Sequence, residues 1–157
     1  MTLVGYQVPK RQQVAIVIDV SDQVNEADQG GGIATLADTI SEGLKEHGID
    51  NQLYASKYDH PKPPRVDVFV SYWHGTPGSA HGTQAIAAIT PLAGPFAMAA
   101  AYNNIVLDCK VTLPGQDKPV FSRHFERTGF GGGSTTNDDN AAAESAGNAI
   151  VDAILKR

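Results

Sequence analysis

Short apolar stretches rich in β-branched residues alternate with amphipathic stretches along the first half of the chain. Residues 14–20 are apolar on both faces of an extended chain, which is typical of a covered central strand. Residues 33–44 have apolar side chains at three- and four-residue spacing and predict an amphipathic helix, and Gly48 is placed to end it as a left-handed C-cap. Residues 52–55 predict a short strand and residues 66–73 a longer one.

The second half of the chain predicts a strand hairpin followed by a helix. Apolar residues alternate with polar ones over 105–113, and a turn at 114–119 leads into a second alternating run at 120–127. An apolar stripe between 142 and 154, mostly alanine, predicts the last helix. The polar positions of the first of these strands, which we expect to face water, are Asp108, Lys110 and Thr112.

Two glycine-rich stretches are expected to be loops that precede the two helices. One is 30–32, at the end of a polar loop over 21–32, and the other is 129–133. Backbone N–H groups of such loops hold phosphate in some proteins. Neither stretch has the lysine of a phosphate-binding loop or the full spacing of a dinucleotide fingerprint, so a nucleotide site is not favoured and no cofactor is expected.

Taken together, these elements predict an α/β fold. Two helices suffice to cover one face of a mixed four- to five-stranded sheet, which gives a two-layer sandwich. We interpret 1–157 as a single domain, since 157 residues suit one core. Its parts are a strand–helix–strand–strand half at 13–73, an uncharged Ala/Gly-rich insertion at 74–104, and the hairpin with the C-terminal helix at 105–157.

Composition excludes several functional classes. Seventeen acidic and twelve basic residues give a net charge of -5, which disfavours general binding to nucleic acid or to an anionic membrane. The single cysteine, Cys109, excludes an internal disulfide and a thiolate-rich metal site, and its place on the apolar side of a strand predicts an inert buried thiol.

The segment between Val68 and Leu107 contains no Asp, Glu, Lys or Arg. Part of it is long and apolar, but Pro91 and Pro95 would break a single membrane-spanning helix, so we reject that interpretation. Two interpretations stay open: the segment packs on its own domain, or residues 75–104 form a contact surface for a protein partner, a second copy or a bilayer. The residues expected to form that surface are Ile86, Ile89, Leu92, Phe96, Met98 and Tyr102.

A metal or ligand site is a weaker hypothesis. Asp19 lies at the end of the first strand and Asp22 follows it, and His74 and His81 each begin a His-Gly-Thr triplet. Carboxylates beyond a strand end bind Mg²⁺ in some folds, and a catalytic zinc ion needs three protein ligands. A solvated acidic turn and neutral loop histidines are the favoured interpretation, so no catalytic residue is assigned.

The order of the elements from Val14 to Lys156 resembles small bacterial envelope lipoproteins. These include transport-auxiliary lipoproteins and domains similar to the N-terminal domain of TolB and to the periplasmic part of curli-type secretion channels. The residues that carry the resemblance most are the strand–turn–strand at 111–123 and the run at 149–155. The resemblance implies a non-enzymatic assembly or transport accessory in the periplasm, but it fixes no functional residue.

The start of the sequence departs from that pattern, because no signal peptide and no lipidated cysteine is found near Met1. The resemblance therefore implies an outer-membrane lipid anchor on a leader upstream of Met1; without one, the protein is expected in the cytoplasm. The leading hypothesis is a non-catalytic protein-interaction module that binds a protein partner or assembles into a homo-oligomer. The alternatives are a ligand- or metal-binding enzyme that uses the loops after the first and third strands, and a phage or virion structural subunit.

Overall fold

The computed structural model describes residues 2–22, 24, 26–54, 60–74, 102–130 and 141–156. Seven strands and two helices lie within these ranges. In chain order they are β1 (Thr2–Leu3), β2 (Val14–Val20), α1 (Glu26–Glu46), β3 (Asn51–Tyr54), β4 (Arg65–His74), β5 (Tyr102–Thr112), β6 (Phe121–Phe130), α2 (Ala141–Ile154) and β7 (Leu155–Lys156).

The main sheet has five strands in the order β3-β2-β4-β5-β6. β2 is parallel to β3 and to β4, whereas the pairs β4–β5 and β5–β6 are antiparallel. The predicted α/β fold with a mixed sheet of four to five strands is therefore confirmed. A separate two-stranded pairing of β1 with β7, which the sequence analysis did not predict, joins the two ends of the chain.

Both helices pack against one face of this sheet. Alternate side chains of the central strands, such as Val66, Val68 and Leu107, are buried in one core with the apolar stripes of α1 and α2. The predicted stripe of α2 is confirmed, since Ala142, Ala146, Ile150 and Ile154 are fully buried. The opposite face of the sheet has no helix over it among the described residues, and its side chains form the candidate site.

The prediction of a loop over 21–32 is wrong for residues 26–32. These residues are helical, because α1 begins at Glu26 and includes the three glycines. The physical reason is the close approach of Trp73 on β4. A Cβ atom added to Gly32 would lie 2.1, 2.4 and 2.7 Å from three atoms of the indole ring. Gly32 therefore lets a helix pack tightly on an aromatic ring, and the first glycine stretch is not a phosphate-binding loop.

The other end of α1 matches the sequence prediction. Gly48 has a φ of 77°, in the left-handed region that glycine adopts without strain. The Gly48 N–H donates to the Lys45 carbonyl and the Ile49 N–H to the Leu44 carbonyl, each at 2.9 Å. These two bonds form a Schellman motif, which satisfies carbonyl groups at the end of the helix.

Candidate functional site

The helix-free face of the sheet carries a row of four side chains from four adjacent strands. In the strand register Asp19 of β2 pairs with Phe69 of β4, Phe69 pairs with Asp108 of β5, and Asp108 pairs with His124 of β6. Side chains at paired positions lie on the same face within about 5 Å of each other. Phe69 therefore lies between two carboxylates.

This row borders a groove of about 670 Å³, which is within the usual size range of ligand pockets. The floor includes Phe69 and Lys110, and the sides are formed by His60, before β4, and by Asp117 and Pro119 in the β5–β6 turn. The remaining lining residues are Val17, Asp19, Arg65, Asp67, Val68, Asp108 and Thr112.

The prediction that Thr112 faces water is wrong. The strand pattern placed its side chain toward water, but it is buried. It is on the helix-free face, where it pairs with Arg65 and lines the groove together with Pro119 of the turn. The other two polar positions of β5 behave as expected: Lys110 is exposed and Asp108 is partly exposed.

Arg65 is held in place at one end of the groove. Its Nε donates to Asp67 Oδ2 at 2.8 Å, and one terminal nitrogen donates to the Pro61 carbonyl at 3.0 Å. Both side chains of the Arg65–Asp67 ion pair are about a third exposed, so water screens it and its contribution to stability is small. The ion pair orients the guanidinium and partly neutralises the groove.

His124 lies between two carboxylates on the surface of β5 and β6. Its Nδ1 is 2.9 Å from Asp108 Oδ1 and its Nε2 is 3.1 Å from Glu126 Oε1. A neutral imidazole donates from only one nitrogen, so both contacts are favourable only when the ring is doubly protonated. The hydrogen bond to Asp108, followed by that to Glu126, raises the pKa of His124 above its ordinary value.

We therefore expect NMR titration of the imidazole to place the pKa of His124 above 6.5. Asp108→Asn should lower it most and Glu126→Gln less. The contribution to stability is fully present below pH 6.5 and is lost as the pH rises through the raised pKa of the folded state. A wild-type pKa of 6.5 or lower, or one that neither variant changes, would contradict this arrangement.

Cys109 is buried on the helix side of β5, as the sequence predicts. Burial, followed by the negative charge of Asp67, raises the pKa of its thiol to about 12. Since the thiolate is the reactive form, this thiol is inert near neutral pH.

Among the described side chains of the metal hypothesis, that of Asp19 lines the groove and that of Asp22 does not. Asp19 is there, and its Oδ1 accepts a hydrogen bond from the Val20 N–H at 3.0 Å. Asp22 is exposed beyond the end of β2. The side chain of His74, which ends β4, and the whole of His81 lie outside the described residues. Within the ranges that the structure describes, no group of three His, Cys, Asp or Glu residues could hold a metal ion.

The predicted contact residues of the uncharged segment also lie outside the described residues. This holds for Ile86, Ile89, Leu92, Phe96 and Met98, and for the side chain of Tyr102, the first residue of β5. Among the described helices, none is both long and apolar enough to cross a membrane.

The helix-free face exposes two large aromatic side chains, both on β4. Phe69 is 43% exposed and Tyr72 is 48% exposed. Tyr72 pairs with Val106 on β5, and two residues farther along β4 the chain enters the uncharged segment. The aromatic surface therefore adjoins the place where that segment leaves the sheet.

This groove was not predicted from the sequence, although several of its residues were identified there. The alternation over 105–113 placed Asp108 on the water side, but only the register shows that Phe69 and His124 are its neighbours. The signal in the sequence was the turn at 114–119, since a hairpin turn fixes the pairing of its two strands. The position of β4 beside β5 could not be deduced in that way.

Comparisons with known proteins show the fold of this chain and nothing narrower. No family model matches the sequence, and no curated protein matches it. The PelC dodecamer from Paraburkholderia phytofirmans is 12% identical with a TM-score of 0.54, and the match covers 96% of this chain and 92% of PelC. A point variant of the same dodecamer in another crystal form is 13% identical with a TM-score of 0.52, covering 90% and 87% of the two chains.

Two further solved structures are more distant. A Xanthomonas campestris protein of family DUF330 is 14% identical with a TM-score of 0.47, covering 88% of this chain and 78% of that protein. A minor lipoprotein from Acinetobacter baumannii is 6% identical with a TM-score of 0.42, covering 89% of each chain. The resemblance to TolB domains is not shown, because none of the structures named here is a TolB protein.

Proposed function

We propose that this chain is a non-catalytic accessory protein of the bacterial cell envelope that assembles with further copies of itself. The observation that carries the proposal is the helix-free face of the sheet, on which Phe69 and Tyr72 are each more than 40% exposed. In this proposal the uncharged segment 75–104, which begins directly after β4, supplies the rest of the contact surface.

The exposed aromatic residues support a contact between proteins. Large apolar patches on a monomer mark interaction sites, and aromatic residues are enriched in the core of such interfaces whereas charged residues are depleted there. Tyr72 and the segment 75–104 have this composition, since the segment contains no Asp, Glu, Lys or Arg. The charged groove beside Phe69 would form the polar rim of the same interface.

The fold comparison and the resemblance support assembly in the envelope. The PelC structures that share this fold are dodecamers, so the fold is compatible with a homo-oligomer of many subunits. The resemblance to envelope lipoproteins supports a periplasmic location, with a lipid anchor on a leader upstream of Met1. A non-catalytic role agrees with the state of the Cys109 thiol, which is buried and protonated.

Substituting Tyr72 with Asp tests this contact surface. We expect the variant to self-associate at least tenfold more weakly, because association would bury an unpaired carboxylate in the interface. Its free energy of unfolding should fall by only about 1 kcal/mol, because the side chain is half exposed and the main cost is the low strand propensity of aspartate. Sedimentation velocity measures the first quantity and urea denaturation the second.

The matched control is Leu53→Asp, which adds the same charge at a position that is 40% exposed. Leu53 pairs with the buried Ile16, so it lies on the helix side of the sheet, away from Tyr72. The control should assemble like wild type. Equal assembly of all three proteins would exclude the helix-free face as the contact surface.

The groove supports a second candidate function, the binding of a small ligand. Its volume of about 670 Å³ and its mixture of aromatic and charged lining residues are the observations that favour it. If the wild-type protein and both Asp variants all sediment as monomers, ligand binding in the groove becomes the better supported function.

A further inference from the structure

The loops of this protein separate into two groups at opposite ends of the sheet. β2, β3 and β4 begin at one end, and β5 ends there. The connections at that end are therefore 4–13, 47–50, 60–64 and 113–120. Since β1 leads directly into the first of these connections, the N-terminal strand lies at the same end.

We call this end the basic end and define it by those four connections, because they contain more basic than acidic residues. They contain four basic and two acidic residues. All four cations are exposed, and none forms an ion pair within the part of the chain that the structure describes. The cations are Lys10, Arg11, Lys62 and Lys118, and the two acids are Asp50 and Asp117.

The opposite end has the opposite charge. Residues 19–28, at the end of β2 and the start of α1, contain four acidic residues and no Lys or Arg. α1 starts at that end, where β2 finishes, so Asp22 and the first turn of α1 lie far from the basic end. Although the net charge is -5, positive and negative charges are therefore distributed unevenly between the two ends of the strands.

The basic end also exposes an apolar side chain. Val120 is 44% exposed in the β5–β6 turn, two residues after Lys118. Exposed cations beside an exposed apolar group match the interfacial region of an anionic bilayer. Lysine and arginine there attract lipid headgroups while apolar groups enter the boundary with the acyl chains.

We propose that the basic end rests on an anionic lipid surface and orients the protein with its acidic end away from the bilayer. The mixture of flexible lysine stems and an apolar residue favours a bilayer over the acidic end of a second copy, which would bury Val120 against carboxylates. The inference uses only the envelope location of the proposed function and is independent of self-assembly. Each cation near such a surface contributes about fivefold to the partition coefficient.

The test is cosedimentation with vesicles made of equal parts of phosphatidylglycerol and phosphatidylcholine, and with vesicles of phosphatidylcholine alone. The wild-type protein should bind only the anionic vesicles, and less at high salt because salt screens surface charges. A variant with Lys10→Gln and Arg11→Gln should bind about 25-fold more weakly. The control, Ala34→Glu with Ser145→Glu, has the same net charge but alters exposed helix positions away from the basic end, so it should bind like wild type.

Three results would overturn the inference. They are equal binding to both kinds of vesicle, equal loss of binding in the variant and the control, and a variant that loses self-association while its vesicle binding is unchanged. The last would assign the basic end to a contact between copies. Absence of vesicle binding together with intact assembly would leave the proposed self-assembly standing.

Discussion

Replacing Gly32 with alanine is expected to lower the free energy of unfolding by about 3 kcal/mol, the upper end of the usual cost of overpacking. The new Cβ would lie 2.1 Å from the nearest atom of the Trp73 ring. The ring is rigid and only 4% exposed, so it cannot move away without disturbing the core. The result would establish that α1 extends through the glycine run and packs on β4.

Urea denaturation with two companion variants makes this measurement specific. Ala34→Gly changes an exposed position of the same helix and should cost about 1 kcal/mol through helix propensity alone. Combining Gly32→Ala with Trp73→Leu should cost less than the sum of the single changes, because the smaller side chain leaves room for the methyl group. If Gly32→Ala is instead as stable as wild type, Gly32 does not contact Trp73.

Introducing aspartate into the uncharged segment is expected to have the largest effect on assembly. Ile89→Asp and Phe96→Asp should each weaken self-association about 30-fold, the effect of losing one interface hot spot of about 2 kcal/mol. Stability should be little changed if the segment faces a second copy. Sedimentation velocity and urea denaturation of the same samples separate the two effects.

Thr83→Asp is the control for these variants, since it adds the same charge at a polar position of the same segment. It should assemble nearly like wild type. The opposite interpretation of the segment, packing on its own domain, predicts a different pattern: Ile89→Asp and Phe96→Asp would lower the free energy of unfolding, and association would not change selectively.

The strand pattern predicted the sheet well because burial follows directly from alternation. Leu107 and Val111 are fully buried on the helix side, and Lys110 between them is exposed, as period-two patterning requires. The C-cap at Gly48 was equally predictable, since its signal is local to one residue and its neighbours.

The features that the sequence analysis missed depend on contacts between distant residues. The glycines before position 33 resemble a loop by local propensity, but the ring that requires Gly32 is Trp73, on another strand. In the same way, the groove needs Phe69 beside Asp108, which follows from the register of β4 against β5 and not from either strand alone. In both cases the structure is decided by a contact between residues far apart in the sequence, which local propensity does not reveal.

The most direct test of the proposed function is the mass of the wild-type protein in solution, measured by sedimentation velocity over a range of concentrations. The chain has a mass of 16.6 kDa. Self-assembly predicts a mass several times larger, which decreases toward this value on dilution. For Tyr72→Asp the decrease should begin at a higher protein concentration than for Leu53→Asp. A mass of 16.6 kDa at every concentration would contradict assembly through the helix-free face and the segment 75–104.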